Sequence, residues 1–280
     1  MSSIVYNIPL SLAAVYRGEQ IIVRFQDSSR LVATFREADL ENLLYVQLLS
    51  LTADLDTLAN WGCGVPVDVV MRNPESEFST LYRHAKLLDK HPIRVSIPVM
   101  PGFSKAVKLA ASLRFAVKLE VGQPDPGLID EMSSVLDFFL HHSSVSQPVE
   151  YFQSSLLAFY NHQATTLWSI QEEDPARIRY ITDDGEEIVS PRLRGAKVTG
   201  RIDSFVYDFK SSLIASASEC CGCEFLENCG GYFKWPRGEY SCDGVKSIFR
   251  TLKGAAAELK NDLSAFAQLR ETGEAERRVE

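Results

Sequence analysis

Apolar and polar positions alternate with two different periods along the 280-residue chain, and the change from one to the other marks its elements. Residues 20–36 (QIIVRFQDSSRLVATFR) read as two strands around a polar Asp27-Ser28-Ser29 turn. Residues 38–59 carry apolar side chains three and four apart, which predicts one long helix or two short ones. From residue 65 onward strands and helices alternate. VPVDVVM (65–71) predicts a strand, and a helix follows from about Glu75 to Leu88. IRVSIPV (93–99) predicts a buried strand, FSKAVKLAASLRF (103–115) a helix, AVKLEV (116–121) a strand and LIDEMSSVLDFFLHH (128–142) a helix. Such alternation implies βαβ units and a parallel sheet, and right-handed crossovers wind it into an open sheet or partial barrel.

A further helix is expected after Pro148, then TLWSI (166–170) and a polar stretch over 171–200 with a hairpin signal at Asp183-Asp184-Gly185. A boundary is expected near 185–200. The last long apolar-periodic segment, VKSIFRTLKGAAAELKNDLSAFAQLR, predicts a closing helix, with 271–280 frayed. Three regions follow: a strand-hairpin and helix region at 1–60, a partial (βα) barrel at 61–185 and a C-terminal domain at 186–280. The expected fold class is α/β, with a cysteine-rich metal-binding unit at the end.

Composition narrows the partners. The net charge of −8 argues against bulk affinity for nucleic acid or an anionic membrane surface. No apolar run is long enough to span a bilayer, and residues 1–10 lack the basic start of a signal peptide. A cytoplasmic location is therefore expected. In that compartment thiols stay reduced, so clustered cysteines favour metal ligation over disulfides.

Five of the six cysteines lie between 220 and 242. Thiolates are soft ligands, and four of them close a tetrahedral zinc site or hold an iron–sulfur cluster. Cys220, Cys223, Cys229 and Cys242 form the candidate metal-binding set. Gly222, Gly230 and Gly231 allow close backbone approach, and backbone N–H groups in such turns can donate to sulfur. Cys221 is the spare, either turned away or exchanging with Cys220. Isolated Cys63 reads as a structural or free thiol. Between the last two ligands, Tyr232, Phe233, Trp235 and Arg237 have two readings. They cover the metal from water, or they form a docking surface for a peptide or protein.

The spacing Cys-x2-Cys-x5-Cys-Gly-Gly with a later cysteine resembles the auxiliary-cluster (SPASM, or shorter twitch) domain of radical SAM enzymes. The resemblance implies that these four positions hold one [4Fe–4S] cluster. The full domain has a further cysteine four positions after the third, serving a second cluster. Phe233 stands there in this chain, which implies one cluster and not two. The upstream βα units resemble the later half of a radical SAM partial barrel, so the likeness spans roughly residues 60 to 265. The family's Cys-x3-Cys-x2-Cys motif, which holds the SAM-cleaving cluster, is missing, and Cys63 is the only cysteine before residue 220. The loop Gly122–Gly127 is a SAM-binding candidate by position alone and otherwise a plain βα turn. The resemblance thus implies a degenerate, radical SAM-like accessory or binding protein acting with a peptide-modifying enzyme. A redox enzyme using the single cluster and a zinc-stapled interaction module are the alternatives.

Other groups offer less. His141 and His142 are adjacent at a helix end and point in different directions. Glu150, His162 and the run Glu172-Glu173-Asp174 supply acid–base groups, but a charge run of this kind is expected to be a solvated face. P-loop, nucleophile-elbow and His-Glu-x-x-His motifs are absent from the sequence.

Overall fold

The computed structural model describes residues 4–36, 39–188, 190–193 and 201–277, with side-chain surroundings as far as residue 267. One sheet organises them, in the order β7-β6-β5-β4-β3-β2-β1-β8-β9. Its strands are β1 (Val5–Pro9), β2 (Gln20–Phe25), β3 (Leu43–Leu48), β4 (Val67–Val70), β5 (Ile93–Pro98), β6 (Ala116–Glu120), β7 (Val149–Glu150), β8 (Ile178–Ile181) and β9 (Glu187–Ile188). Every pairing is parallel except β8 with β9, which forms the expected hairpin across Gly185. The sheet is open, with β7 and β9 at its edges.

The 20–59 region departs from expectation. Only β2 forms from the expected pair of strands at 20–36. Asp27 is no turn residue but the N-cap of α1 (Ser28–Thr34), its carboxylate accepting the N–H groups of Ser29 and Arg30. The expected helix at 38–59 is mostly β3, followed by a five-residue α2 (Leu55–Ala59). β3 pairs with β2 and β4, so Val46 and Leu48 are buried in the sheet. Helical spacing of apolar residues was outweighed there by burial against two neighbouring strands.

From residue 65 to 142 the expected order holds, whereas Val149–Glu150, expected to open the helix after Pro148, pair with β6 as the edge strand β7. α3 (Pro74–Glu77) runs into a 3-10 helix (Phe78–Leu87), and α4 (Phe103–Ser112) and α5 (Pro126–His141) follow β5 and β6. Asp125 caps α5, accepting the N–H of Leu128, and Pro126 occupies the first turn. α6 (Phe152–Tyr160) and α7 (Leu167–Ile170) come next. After the undescribed residues in the expected 185–200 boundary come α8 (Phe205–Ala215), α9 (Leu226–Cys229) and α10 (Asp243–Arg277). α10 packs on α5 and α6 and continues through most of the segment expected to fray. Residues 278–280 lie outside the described residues. No helix among the described residues is long and apolar enough to cross a membrane.

Each strand divides its side chains between two faces. Val67, Val69, Val95, Ile97, Val117 and Leu119 are fully buried, as are Phe103, Ala106 and Val107 of α4. The intervening positions carry polar groups. Arg24, Gln47, Asp68 and Arg94 are in register across β2, β3, β4 and β5. Asn7 donates to Gln47, Gln47 donates to Asp68, and Ser96 donates to both oxygens of Asp68. This polar face leads to the C-terminal ends of the strands.

Candidate metal centre and sheet mouth

The cysteine segment is a series of tight turns. Cys223 N–H donates to the Cys220 carbonyl at 3.2 Å, Leu226 N–H to Cys223 at 3.1 Å and Cys229 N–H to Phe225 at 2.7 Å. Cys220, Cys223, Cys229 and Cys242 thereby line one cleft with Phe225, Phe233 and Phe249. Cys221 and Cys63 are exposed, and neither lines that cleft. No three His, Cys, Asp or Glu side chains among the described residues are placed to hold a single ion. The donor set suits a soft metal centre: four thiols, one of which (Cys229) accepts backbone N–H groups from Phe233, Tyr232 and Gly231.

Around the thiols the charges are balanced. Glu219 accepts from Lys234 at 2.6 Å, from Lys246 at 3.2 Å and from the Cys242 N–H at 3.3 Å, so it joins the two ends of the segment. Partial burial pushes the Glu219 carboxyl up, but the two lysines overcome it and bring it down to about 2. Burial pushes the Cys229 thiol up to about 11 and the Cys242 thiol up to about 12.

The two glycines after Cys229 act through packing as well as through access. Gly230 and Gly231 both have left-handed φ, 61° and 76°. A Cβ on Gly230 would stand 3.0 Å from Trp168, and one on Gly231 2.5 Å from Leu213. Trp168 also donates its indole N–H to the Gly230 carbonyl.

The residues expected to form a docking surface are divided by burial. Tyr232 and Phe233 are buried, as is Lys234 between them and Trp235. Of the four, Trp235 is half-buried against Phe205 and Phe209, and Arg237 alone is exposed. The Gly122–Gly127 loop receives this segment. Gln123 donates to the Phe233 carbonyl (2.7 Å) and the Arg237 carbonyl (2.9 Å) and accepts from Arg237 Nε (2.9 Å). Tyr240 donates to the Pro124 carbonyl.

A cavity of about 1140 Å³ opens at the C-terminal ends of the strands. Its lining includes Arg24, Gln47, Lys118, Glu120, Glu173 and Arg192, with Tyr232 reaching it from the cysteine segment. Arg192 stacks 3.9 Å over the Tyr232 ring and donates to the Tyr232 and Trp235 carbonyls. Tyr232 Oη lies 2.9 Å from Glu173 Oε2 and from the Val121 carbonyl. Burial raises the Glu173 carboxyl, with Arg192 opposing it.

The acidic run is not a solvated face. Glu172 enters the polar face of the sheet, accepting from Tyr45 (2.9 Å), Arg94 (2.9 Å) and Lys118 (2.5 Å). Glu150 accepts from Ser154 at the sheet edge. His141 is exposed beside Asp137, His142 bonds Ser144, and exposed His162 meets Lys260; none of them joins either site. Sequence reasoning missed the mouth. The available signal was single charged residues inside apolar strands: Arg24 in IIVRF, Asp68 in VDVV, Arg94 in IRVSIP and Lys118 in AVKLE.

No protein-family model and no curated protein matches the chain. Solved structures do. One is native anSMEcpe, an anaerobic sulfatase-maturating enzyme of the radical SAM/SPASM class, with bound AdoMet and Cp18Cys peptide. It superposes with a TM-score of 0.62 at 12% identity, over 92% of this chain and 99% of that one. The same enzyme with AdoMet and Kp18Cys peptide gives a TM-score of 0.55 at 14% identity, over 90% and 89%. At such identities the likeness is one of fold, and the open, largely parallel nine-strand sheet is shared with the fold of that enzyme.

Proposed function

We propose that the chain is a degenerate radical SAM-like accessory or binding protein. It carries one iron–sulfur cluster on Cys220, Cys223, Cys229 and Cys242 and acts with a peptide-modifying enzyme. The observation that carries this reading is the gathering of those four thiols on one cleft in a chain with this fold. The fold neighbours hold peptides, which supports a peptide-associated role. Degeneracy is supported by the sequence, which lacks Cys-x3-Cys-x2-Cys, and by the mouth, where no cysteine is among the lining residues described.

When bound, such a cluster supplies a rigid covalent staple and a one-electron centre. The chain's own residues do the rest. Phe225, Phe233 and Phe249 keep water from the cleft, Lys234 and Lys246 offset negative charge, and Gln123 fixes the segment on the sheet. Trp235 and Arg237 are the part of this segment that a peptide can reach.

The 1140 Å³ mouth with its carboxylates and cations favours a second reading, an enzyme in its own right with its site at the strand ends.

Anaerobic purification with metal analysis and absorbance spectroscopy tests the first reading. Near four irons per chain, with a broad visible absorbance that Cys229→Ser abolishes, is the expected result. A colourless protein with stoichiometric zinc overturns the iron–sulfur assignment and leaves an interaction module stapled by zinc.

A further inference from the structure

Arginines on the polar face of the sheet are supplied with carboxylates, with one exception. Arg94 is paired with both Asp68 and Glu172. Arg24, one strand beyond Gln47 in the same register, has no carboxylate within ion-pair distance among the described residues. Its Nη1 donates to the Asn7 side-chain oxygen (2.8 Å) and the Asn7 carbonyl (3.0 Å), and its Nη2 to the Ile181 carbonyl (2.5 Å). All three acceptors are neutral.

A guanidinium has five N–H donors in a fixed plane. Three are engaged, so one on Nε and one on Nη2 remain. Arg24 is only partly buried and lines the large mouth cavity. The side chain is thus anchored by Asn7 and Ile181 at the cavity wall, with two donors that these acceptors do not take.

Burial lowers the Arg24 pKa, and Asp183 in the β8–β9 turn, which also lines the cavity, opposes it most. Ser11 and Arg30 line the same cavity. Asp27, also on the lining, is committed to capping α1. A carboxylate or phosphate group accepts two parallel N–H donors from one guanidinium, the geometry in which arginine binds oxyanions most strongly. The cavity's volume suits a whole small molecule or a short peptide segment, not a bare ion.

We propose that the sheet mouth is a binding site for a molecule bearing a carboxylate or phosphate group, and that Arg24 receives that group. The inference holds whether or not the cysteines carry a metal and whether or not the mouth is catalytic.

The test uses the full chain at low ionic strength, with glutarate and inorganic pyrophosphate as separate probes in calorimetry. At least one probe is expected to bind one-to-one. Arg24→Gln weakens it tenfold or more, and the control Arg17→Gln, on an exposed arginine paired with Asp39, leaves it unchanged. Binding of glutarate alone assigns a carboxylate ligand, and binding of pyrophosphate alone a phosphate ligand. Because Arg24 also ties β1 to β8, a second measurement uses wild-type protein. Phenylglyoxal modification mapped by peptide mass spectrometry is expected to slow at least threefold at Arg24 when the binding probe is present. The proposal is overturned if neither probe binds, if Arg24→Gln binds as well as wild type, or if Arg24 is modified at the same rate with and without the probe.

Discussion

Glu172 has φ 59°, a left-handed backbone that a side chain other than glycine, asparagine or aspartate seldom adopts. The conformation persists because its carboxylate is held by Arg94, Lys118 and Tyr45 from three strands. Burial pushes the carboxyl up, but Lys118 and Arg94 overcome that and bring it down to about 2. A carboxyl held below its unfolded value stabilises the fold above that value, near 4.5, and the contribution is lost as pH falls toward 2. Glu172→Gln removes the charge, leaving buried Lys118 without its carboxylate and half-buried Arg94 with Asp68 alone. The expected loss at neutral pH is about 3 kcal/mol, the scale of a broken buried pair. In denaturant titrations the gap between variant and wild type should close as pH drops from about 4.5 toward 2, where wild-type Glu172 becomes neutral too. A gap that stays constant with pH would place the cost in shape and not in charge.

At the scale of elements, the loop joining β6 to α5 carries more than a turn needs. Gln123 makes three hydrogen bonds to the cysteine segment, yet neither strand nor helix depends on it. Gln123→Ala is expected to cost about 1–2 kcal/mol locally, as partly exposed hydrogen bonds do. Hydrogen exchange should quicken over residues 232–240 and stay unchanged in β5 and β6. Equal acceleration everywhere would show that the loop supports the sheet itself. The elements around this loop were legible because β4, β5 and β6 are short apolar runs separated by helices with clear caps such as Asp125-Pro126. β3 was not, because Leu43, Leu44, Val46 and Leu48 have helical spacing and only pairing with β2 and β4 decides their state. α1 was hidden by Ser28 and Ser29, which suit a turn as well as a first helical turn after Asp27. The gathering of the four cysteines on one cleft was legible because a rare residue type recurs there at short local spacing. The mouth was not, because it takes roughly one residue from each of many strands, and no local pattern joins Arg24, Lys118 and Arg192.

Across the whole molecule the cysteine cleft and the mouth share one core. Phe225, Tyr232, Phe233 and Phe249 belong to the same buried cluster as Ile8, Val69 and Leu119. Tyr232 spans the two sites, following the Cys229-Gly230-Gly231 turn and reaching the cavity wall. Aromatic packing on α10 and the sheet holds the cysteine segment, together with the Glu219 bonds to Lys234, Lys246 and Cys242. The turns that carry the cysteines have little regular structure of their own, since α9 has four residues. Metal binding then adds its free energy to that segment more than to the sheet. Chelation of metal-loaded protein is expected to raise hydrogen exchange over 219–229 and around Cys242. Protection in β3 to β6 and the circular dichroism of the helices should persist, because the packing of Phe225, Phe233 and Phe249 survives the loss of the metal. Cooperative unfolding of the sheet on chelation would show instead that the metal holds the whole fold, as it does in the smallest metal-stapled domains.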